Sequence, residues 1–334
     1  MTNFTFILPP KIIFGRDSLN NVRKELEESN SHTPIIPTSR QMVKRENFSK
    51  LLNFLKDKFT SVVFNEVEPE PSIETVNRCS EIARENNCDS IIGFGGGSVM
   101  DVAKKVGMDL GLFKVMIPTT AGTGSEVTHE SVLKVHGNKK AFVDKRLAAD
   151  VAIVDPSLLT TMPKRLVASS GIDALAHAIE SYSAKRGNEL TRTLAQKACL
   201  IIKSNLKKAV AGDENAILNM ALGSLMAGMA FGNSGTALCH ALSYPLSSKG
   251  IPHGEAVAIM LPHALEFNDF NAEVISEIRK IISDISLPTT FEGDAQEMAK
   301  IVMEDERHLS NNPKEVTFED VVRIYQKVVE GTQE

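Results

Sequence analysis

Short β-branched runs alternate with helical stretches through the first half of the chain. Lys11–Phe14, Thr33–Pro37, Ser61–Phe64, Ser90–Phe94, Val115–Pro118 and Val151–Asp155 read as strands. Between them apolar residues recur at helical spacing, as Leu19, Val22 and Leu26 do within Asp17–Glu28. Further helices are expected around Phe48–Lys58 and from Pro71-Ser72 to about Asn86. Strands separated by helices pair in parallel, which predicts an α/β domain. After Pro156 the pattern changes. Residues 166–210, 213–243, 253–270, 272–286, 294–305 and 317–330 carry helical periodicity broken by Pro and Gly, and Pro245 is expected to end the stretch that holds His240. Asp155-Pro156-Ser157 and Met162-Pro163 punctuate the change. The expected organisation is an α/β domain with a parallel sheet over 1–160 and an all-helical domain over 161–334.

Composition narrows the class. A chain of 334 residues favours two cores over one, and 42% apolar with 24% charged residues is a globular profile. The net charge of -5, without long runs of one sign, argues against nucleic acid or an anionic membrane surface as partner. Met1–Pro10 lacks the basic region and long apolar stretch of a signal peptide. The longest apolar segment, Leu218–Leu242, is interrupted by Asn219, Asn233 and His240 and reads as a buried helix, not a membrane span. Cys79, Cys88, Cys199 and Cys239 form no CxxC, so reduced thiols in a cytoplasmic protein are expected.

Two segments carry candidate anion-binding chemistry. The strand Ser90–Phe94 runs into Gly95-Gly96-Gly97-Ser98 and then a helix near Val99-Met100-Asp101. Consecutive glycines let backbone amides approach a phosphate, and a helix N-terminus adds a favourable dipole. The spacing is not GxGxxG, and the triplet alone is also compatible with a tight turn. Strand Val115–Pro118 ends likewise in a loop of hydroxyls and glycines, Thr119 to Glu126. A separate constellation suits a metal. Asp173 and His177 share one helical face among apolar neighbours, and a buried aspartate is costly unless paired or coordinating. With His240 and His253 they make one carboxylate and three imidazoles, a set for Fe(II), Zn(II), Mn(II) or Co(II), although spacing alone leaves their convergence open. His32, His129, His136, His263 and His308 are assigned to the surface or to positions behind the ligands.

Together these segments resemble the iron-containing (group III) alcohol dehydrogenases over nearly the whole chain. The resemblance rests on Gly95–Ser98 with Asp101, Pro118 to Glu126, Val154-Asp155-Pro156, Gly171 to Glu180, His240, Ile251 to Gly254, and Asn312-Pro313 through Asp320 to Tyr325. It implies a dinucleotide-binding α/β domain followed by a helical one, an architecture shared with dehydroquinate synthase. It implies the metal ligands Asp173, His177, His240 and His253, with Fe(II) first and Zn(II) or Mn(II) as alternatives. Nucleotide contacts would fall on Gly95, Gly96, Gly97, Ser98, Asp101, Thr119, Thr120, Thr123 and Lys140, and a homodimer or larger homo-oligomer is implied. The chain departs from the family pattern twice. Tyr244 stands where many members carry a further histidine beside the nicotinamide, which makes it a candidate proton donor. Thr38-Ser39-Arg40 stands where NAD-preferring members often carry an aspartate, so Ser39 and Arg40 suit a 2′-phosphate and favour NADP(H) over NAD(H).

The expected activity is hydride transfer between a nicotinamide cofactor and a small alcohol or aldehyde, with the metal polarising the substrate oxygen. Lys249, in the loop between His240 and His253, suggests a small acidic aldehyde such as succinic or malonic semialdehyde. The alternative is a 3-dehydroquinate synthase-like lyase using NAD and a metal. The sparse basic residues around the ligands and the Asp173/His177 pair weigh against it.

Overall fold

The computed structural model describes residues 3–7 and 10–329; residue 330, the last of the final helical stretch, lies outside the described residues. Residues 7–161 form one compact unit, and residues 162–329 form the other together with residues 3–6, which the expected 1–160 boundary places in the α/β domain.

The first unit carries eight strands: β1 (Lys11–Phe14), β2 (Pro34–Pro37), β3 (Val62–Phe64), β4 (Ser90–Gly95), β5 (Phe113–Pro118), β6 (Glu130–Val135), β7 (Asn138–Val143) and β8 (Val151–Val154). Its helices are α1 (Val22–Glu28), α2 (Glu46–Leu55), α3 (Ile73–Glu85) and α4 (Gly97–Leu110). Six strands pair in parallel in the order β1-β8-β5-β4-β2-β3. Strands β2, β4 and β8 are buried throughout, which is why they read as unbroken apolar runs and not as alternation. Val99, Met100, Val102, Ala103 and Val106 of α4 share a core with Ile35, Ile91 and Met116 of the sheet. The chain leaves β2 toward β3 on one side and leaves β4 toward β5 on the other. The sheet order therefore reverses between β2 and β4, and ligands of open α/β sheets bind at the strand ends beside such a reversal.

The hairpin of β6 and β7 was not expected from the apolar pattern. Its strands are half-exposed and lysine-bearing, and the signal sits in the turn, where His136 and Gly137 both take positive φ.

The second unit is helical: α5 (Lys164–Ser183), α6 (Glu189–Ala211), α7 (Glu214–Ser234), α8 (Leu238–Ser248), α9 (His253–Phe267), α10 (Ala272–Asp284), α11 (Ala295–Met303), α12 (Glu306–Asn311) and α13 (Phe318–Val329). The single stretch expected over 166–210 is two helices, because Asn188 and Thr191 form a reciprocal capping box that starts α6. The stretch over 213–243 also divides, and not at Pro245. Helix α7 ends at Ser234, Gly235 follows at φ +73°, and α8 begins at Leu238 with Pro245 inside it. The break is sealed by the Glu180 carboxylate, which accepts hydrogen bonds from the Ala237 and Cys239 amides at the head of α8. By length and composition α7 is apolar enough to cross a membrane, yet 61% of its apolar window is buried inside the fold, against α5 and α6. All four cysteines are free.

Candidate functional site

The glycine segment lies where the sheet order reverses. Gly95 ends β4, Gly96 caps α4, and Gly97 and Ser98 form its first turn, with no acidic residue there to oppose an anion. The threonine loop is packed onto it. The Thr119 amide donates to the Gly95 carbonyl at 2.9 Å. A Cβ on Gly97 would come within 2.7 Å of Thr123 Cγ2, so the close approach favours glycine there, whereas one on Gly96 would meet Thr120 at an ordinary contact of 3.4 Å. The end of β2 joins the same edge, with Thr38 Oγ1 donating to the Phe94 carbonyl at 2.8 Å. Ser39 Oγ accepts from the Met42 amide at 3.2 Å, and Arg40 is exposed. Three consecutive strand ends thus present small side chains and backbone amides to one place, as a pyrophosphate requires.

Asp101 and Lys140 have other neighbours. Asp101 Oδ1 accepts from Ser125 Oγ at 3.0 Å and lies 3.6 Å from Lys104 Nζ. Lys140 is on the hairpin with its ammonium 5.6 Å from the Phe142 ring centroid.

In the helical unit Asp173, His240 and His253 converge from α5, α8 and α9. One ligand atom from each lies within 4.8 Å of the other two. Asp173 Oδ1 is 3.7 Å from His240 Nε2 and 3.5 Å from His253 Nε2. Donors ~2.1 Å from one ion at tetrahedral angles would stand roughly 3.4 Å apart. Asp173 Oδ1 and His240 Nε2 are buried, and no described residue hydrogen-bonds either atom. Buried polar atoms left without partners are costly, and a divalent cation would satisfy both. The residues fit such an ion. His177, one turn from Asp173, stacks on His240 at 4.4 Å and on Phe231 at 4.3 Å. Its Nδ1 lies 3.9 Å from Asp173 Oδ2. His253 opens α9, and the glycine after it lets α9 press against α5: a Cβ on Gly254 would overlap the Ser169 carbonyl at 2.2 Å.

Charge follows from this packing. Burial alone would raise the Asp173 carboxyl, but His177, His240 and His253 outweigh it and hold the group well below the usual carboxylate range. For His240, burial opposes protonation, while Glu180 and Asp173 together raise its pKa to about 9. Glu180 was not singled out from the sequence, although Asp173, His177 and Glu180 follow the i, i+4, i+7 spacing of one helical face. Its Oε2 meets His240 Nδ1 at 2.5 Å, directing Nε2 toward Asp173. His308, assigned to the surface or to a position behind the ligands, is buried, with its ring 6.5 Å from that of His240. Tyr244 stacks obliquely on His253 at 6.1 Å. Lys249 Nζ lies 3.0 Å from Glu297 Oε2, so its charge already has a partner.

The sequence profile of the family described as iron-containing alcohol dehydrogenase matches residues 9–156. The profile described as Fe-containing alcohol dehydrogenase family, C-terminal, matches residues 167–292. The chain is 32% identical to long-chain-alcohol dehydrogenase 1 of Geobacillus thermodenitrificans, over 98% of this chain and 97% of that one. It is 30% identical to the NADPH-dependent butanol dehydrogenase of Clostridium saccharobutylicum, over 98% of both. Among solved structures, sulfoacetaldehyde reductase from Bifidobacterium kashiwanohense in complex with NAD+ superposes with a TM-score of 0.92 at 28% identity, over 99% of this chain and 100% of that one.

Proposed function

From the premise that the chain belongs to the iron-containing alcohol dehydrogenase family, and is a metal-dependent, nicotinamide-linked alcohol dehydrogenase or aldehyde reductase, we propose a reductase of small aldehydes that uses NADP(H). The family match sets aside the lyase alternative. The observation that carries the site assignment is the convergence of Asp173, His240 and His253 with two buried ligand atoms left without hydrogen bonds. These three residues, with His177, would hold the ion, Fe(II) first. A divalent cation there supplies Lewis acidity toward a carbonyl oxygen. Glu180 fixes the His240 tautomer, and Tyr244 is the side chain we assign to hold or move a proton at its Oη.

Gly95–Ser98 with Thr119, Thr120 and Thr123 bind the pyrophosphate, and the guanidinium of Arg40 recognises the 2′-phosphate. Asp101 supports this loop through Ser125, and Lys140 contacts the nicotinamide ribose. Lys249 makes only an exposed, weak pair with Glu297 and remains the cation from which an acidic aldehyde such as succinic or malonic semialdehyde is inferred, alongside simple short aldehydes. A cytoplasmic homodimer or larger homo-oligomer completes the reading.

The test is NADPH oxidation by metal-free protein, reconstituted with Fe(II), Zn(II) or Mn(II), with short aldehydes as substrates. Activity should return with metal and be absent from Asp173→Ala, which should also lose the ion by elemental analysis. Arg40→Ala should lower the preference for NADPH over NADH by roughly tenfold. A folded wild type that oxidises neither nucleotide with any metal would overturn the reading.

A further inference from the structure

Helix α7 stops and α8 starts across the three-residue link 235–237, and that break decides where His240 stands, as the third residue of α8. Amides in the first turn of a helix have no partner within it. Glu180 supplies one, accepting from the Ala237 and Cys239 amides while its Oε2 also holds His240 Nδ1. One carboxylate meets all three groups only if α8 begins at this point. The carbonyls that α7 and the link leave over are a separate requirement.

Asn311 meets it. This residue ends α12 and is 1% exposed. Its Nδ2 donates to the Ser234 carbonyl at 2.9 Å and to the Thr236 carbonyl at 2.8 Å, one on each side of Gly235. Its Oδ1 accepts from the Arg186 amide at 3.0 Å, and its own carbonyl accepts from the Lys185 amide at 2.9 Å. Two carbonyls and one amide admit a single orientation of the side-chain amide, with both of its hydrogens used. The helix from which it reaches is itself fixed, because Asp305 caps α12 through the His308 amide at 3.2 Å and meets His308 Nδ1 at 2.6 Å. Gly235, between the two held carbonyls, takes φ +73°, and a Cβ there would fall 2.5 Å from Arg186 Nη2 and 3.0 Å from Asn311 Nδ2. The neighbouring Asn312 has a different task. Its side chain exchanges hydrogen bonds with Asn268 at 2.8 and 2.9 Å, tying α12 to the C-terminal end of α9, the opposite end from His253.

We propose that Asn311 is a positioning residue for the metal site: it fixes the carbonyl side of the α7–α8 break as Glu180 fixes the amide side, and together they set the place of His240. The inference rests on the metal-site reading above.

The test measures the Zn(II) affinity of metal-free protein by competition with a chelator, and the visible spectrum of Co(II)-loaded protein, which follows coordination geometry. Asn311→Leu keeps the shape of the side chain and removes its polar atoms; Asn311→Ser shortens the arm with less disturbance. Each is expected to lower Zn(II) affinity roughly tenfold and to change the Co(II) spectrum. The matched variant Asn312→Leu should lower the urea midpoint of the metal-free protein and leave affinity and spectrum as in wild type. Wild-type affinity and spectrum in a folded Asn311 variant overturns the proposal. So does Asn312→Leu moving both as far, since loss of stability alone would then suffice. Where Asn311→Leu does not fold, Asn311→Ser decides by the same criteria. A wild type that binds neither ion overturns the metal-site reading and the proposal with it.

Discussion

The two units bury charge in opposite ways. In the α/β unit Lys104 is fully buried, and its ammonium donates to Ser125 Oγ at 2.6 Å, to the Ser125 carbonyl at 2.9 Å and to Thr128 Oγ1 at 3.0 Å. All three donors have acceptors, and Asp101 supplies the opposite charge from 3.6 Å. Burial lowers the Lys104 pKa and raises that of Asp101, so the cluster stands on its hydrogen bonds. In the helical unit Asp173 and His240 are just as buried, yet Asp173 Oδ1 and His240 Nε2 face one another at 3.7 Å with no hydrogen bond. A polar network that closes on itself holds a loop in place. One that leaves ligand atoms converging and unsatisfied is built for something else.

The largest effect should come from breaking the closed cluster. Lys104→Met strands Asp101 and is expected to destabilise the protein by ~3–5 kcal/mol, the usual cost of removing one partner of a buried pair. A lower urea midpoint with an unchanged metal content would keep the two clusters separate; loss of the metal from protein that remains folded would show them coupled. Glu180→Gln should have the next largest effect. It removes the charge behind His240 while keeping its volume, and metal affinity should fall roughly 10- to 100-fold in competition with a chelator. Unaltered affinity would reduce Glu180 to a cap for α8.

The smallest effect sharpens what an unpartnered atom means. His263 Nδ1 is also buried without a hydrogen bond among the described residues, but no ligand set surrounds it. Burial lowers its pKa to about 4, against the opposing pull of Glu266. The unfolded chain protonates near pH 6.5 and so holds more protons than the fold between pH 6.5 and 4. Stability from this group is therefore complete above pH 6.5 and is lost as pH falls through that window. His263→Leu should flatten the pH dependence of the urea midpoint there, by at most about 1.4 kcal/mol per pH unit. A slope identical to wild type would mean that the ring is protonated in the fold. A lone unsatisfied atom thus needs only a neutral imidazole, whereas several converging ones need a ligand.

The sequence by itself determined the parallel α/β unit, the helical unit and the glycine and threonine loops. Buried strands are contiguous apolar runs, and a site made of backbone amides is written in consecutive residues. It also contained the donor residues Asp173, His240 and His253, but not their meeting, because α5, which carries Asp173, lies far along the chain from α8 and α9, which carry the histidines. Tertiary structure alone decided that α7 ends at Gly235, since the carboxylate that seals the break comes from Glu180, more than fifty residues earlier. It likewise decided the partners of Glu180, Lys104 and His308. A titratable side chain in an apolar stretch reads the same whether it closes a network, caps a helix or faces a ligand. Only the atoms brought within hydrogen-bonding distance distinguish these roles.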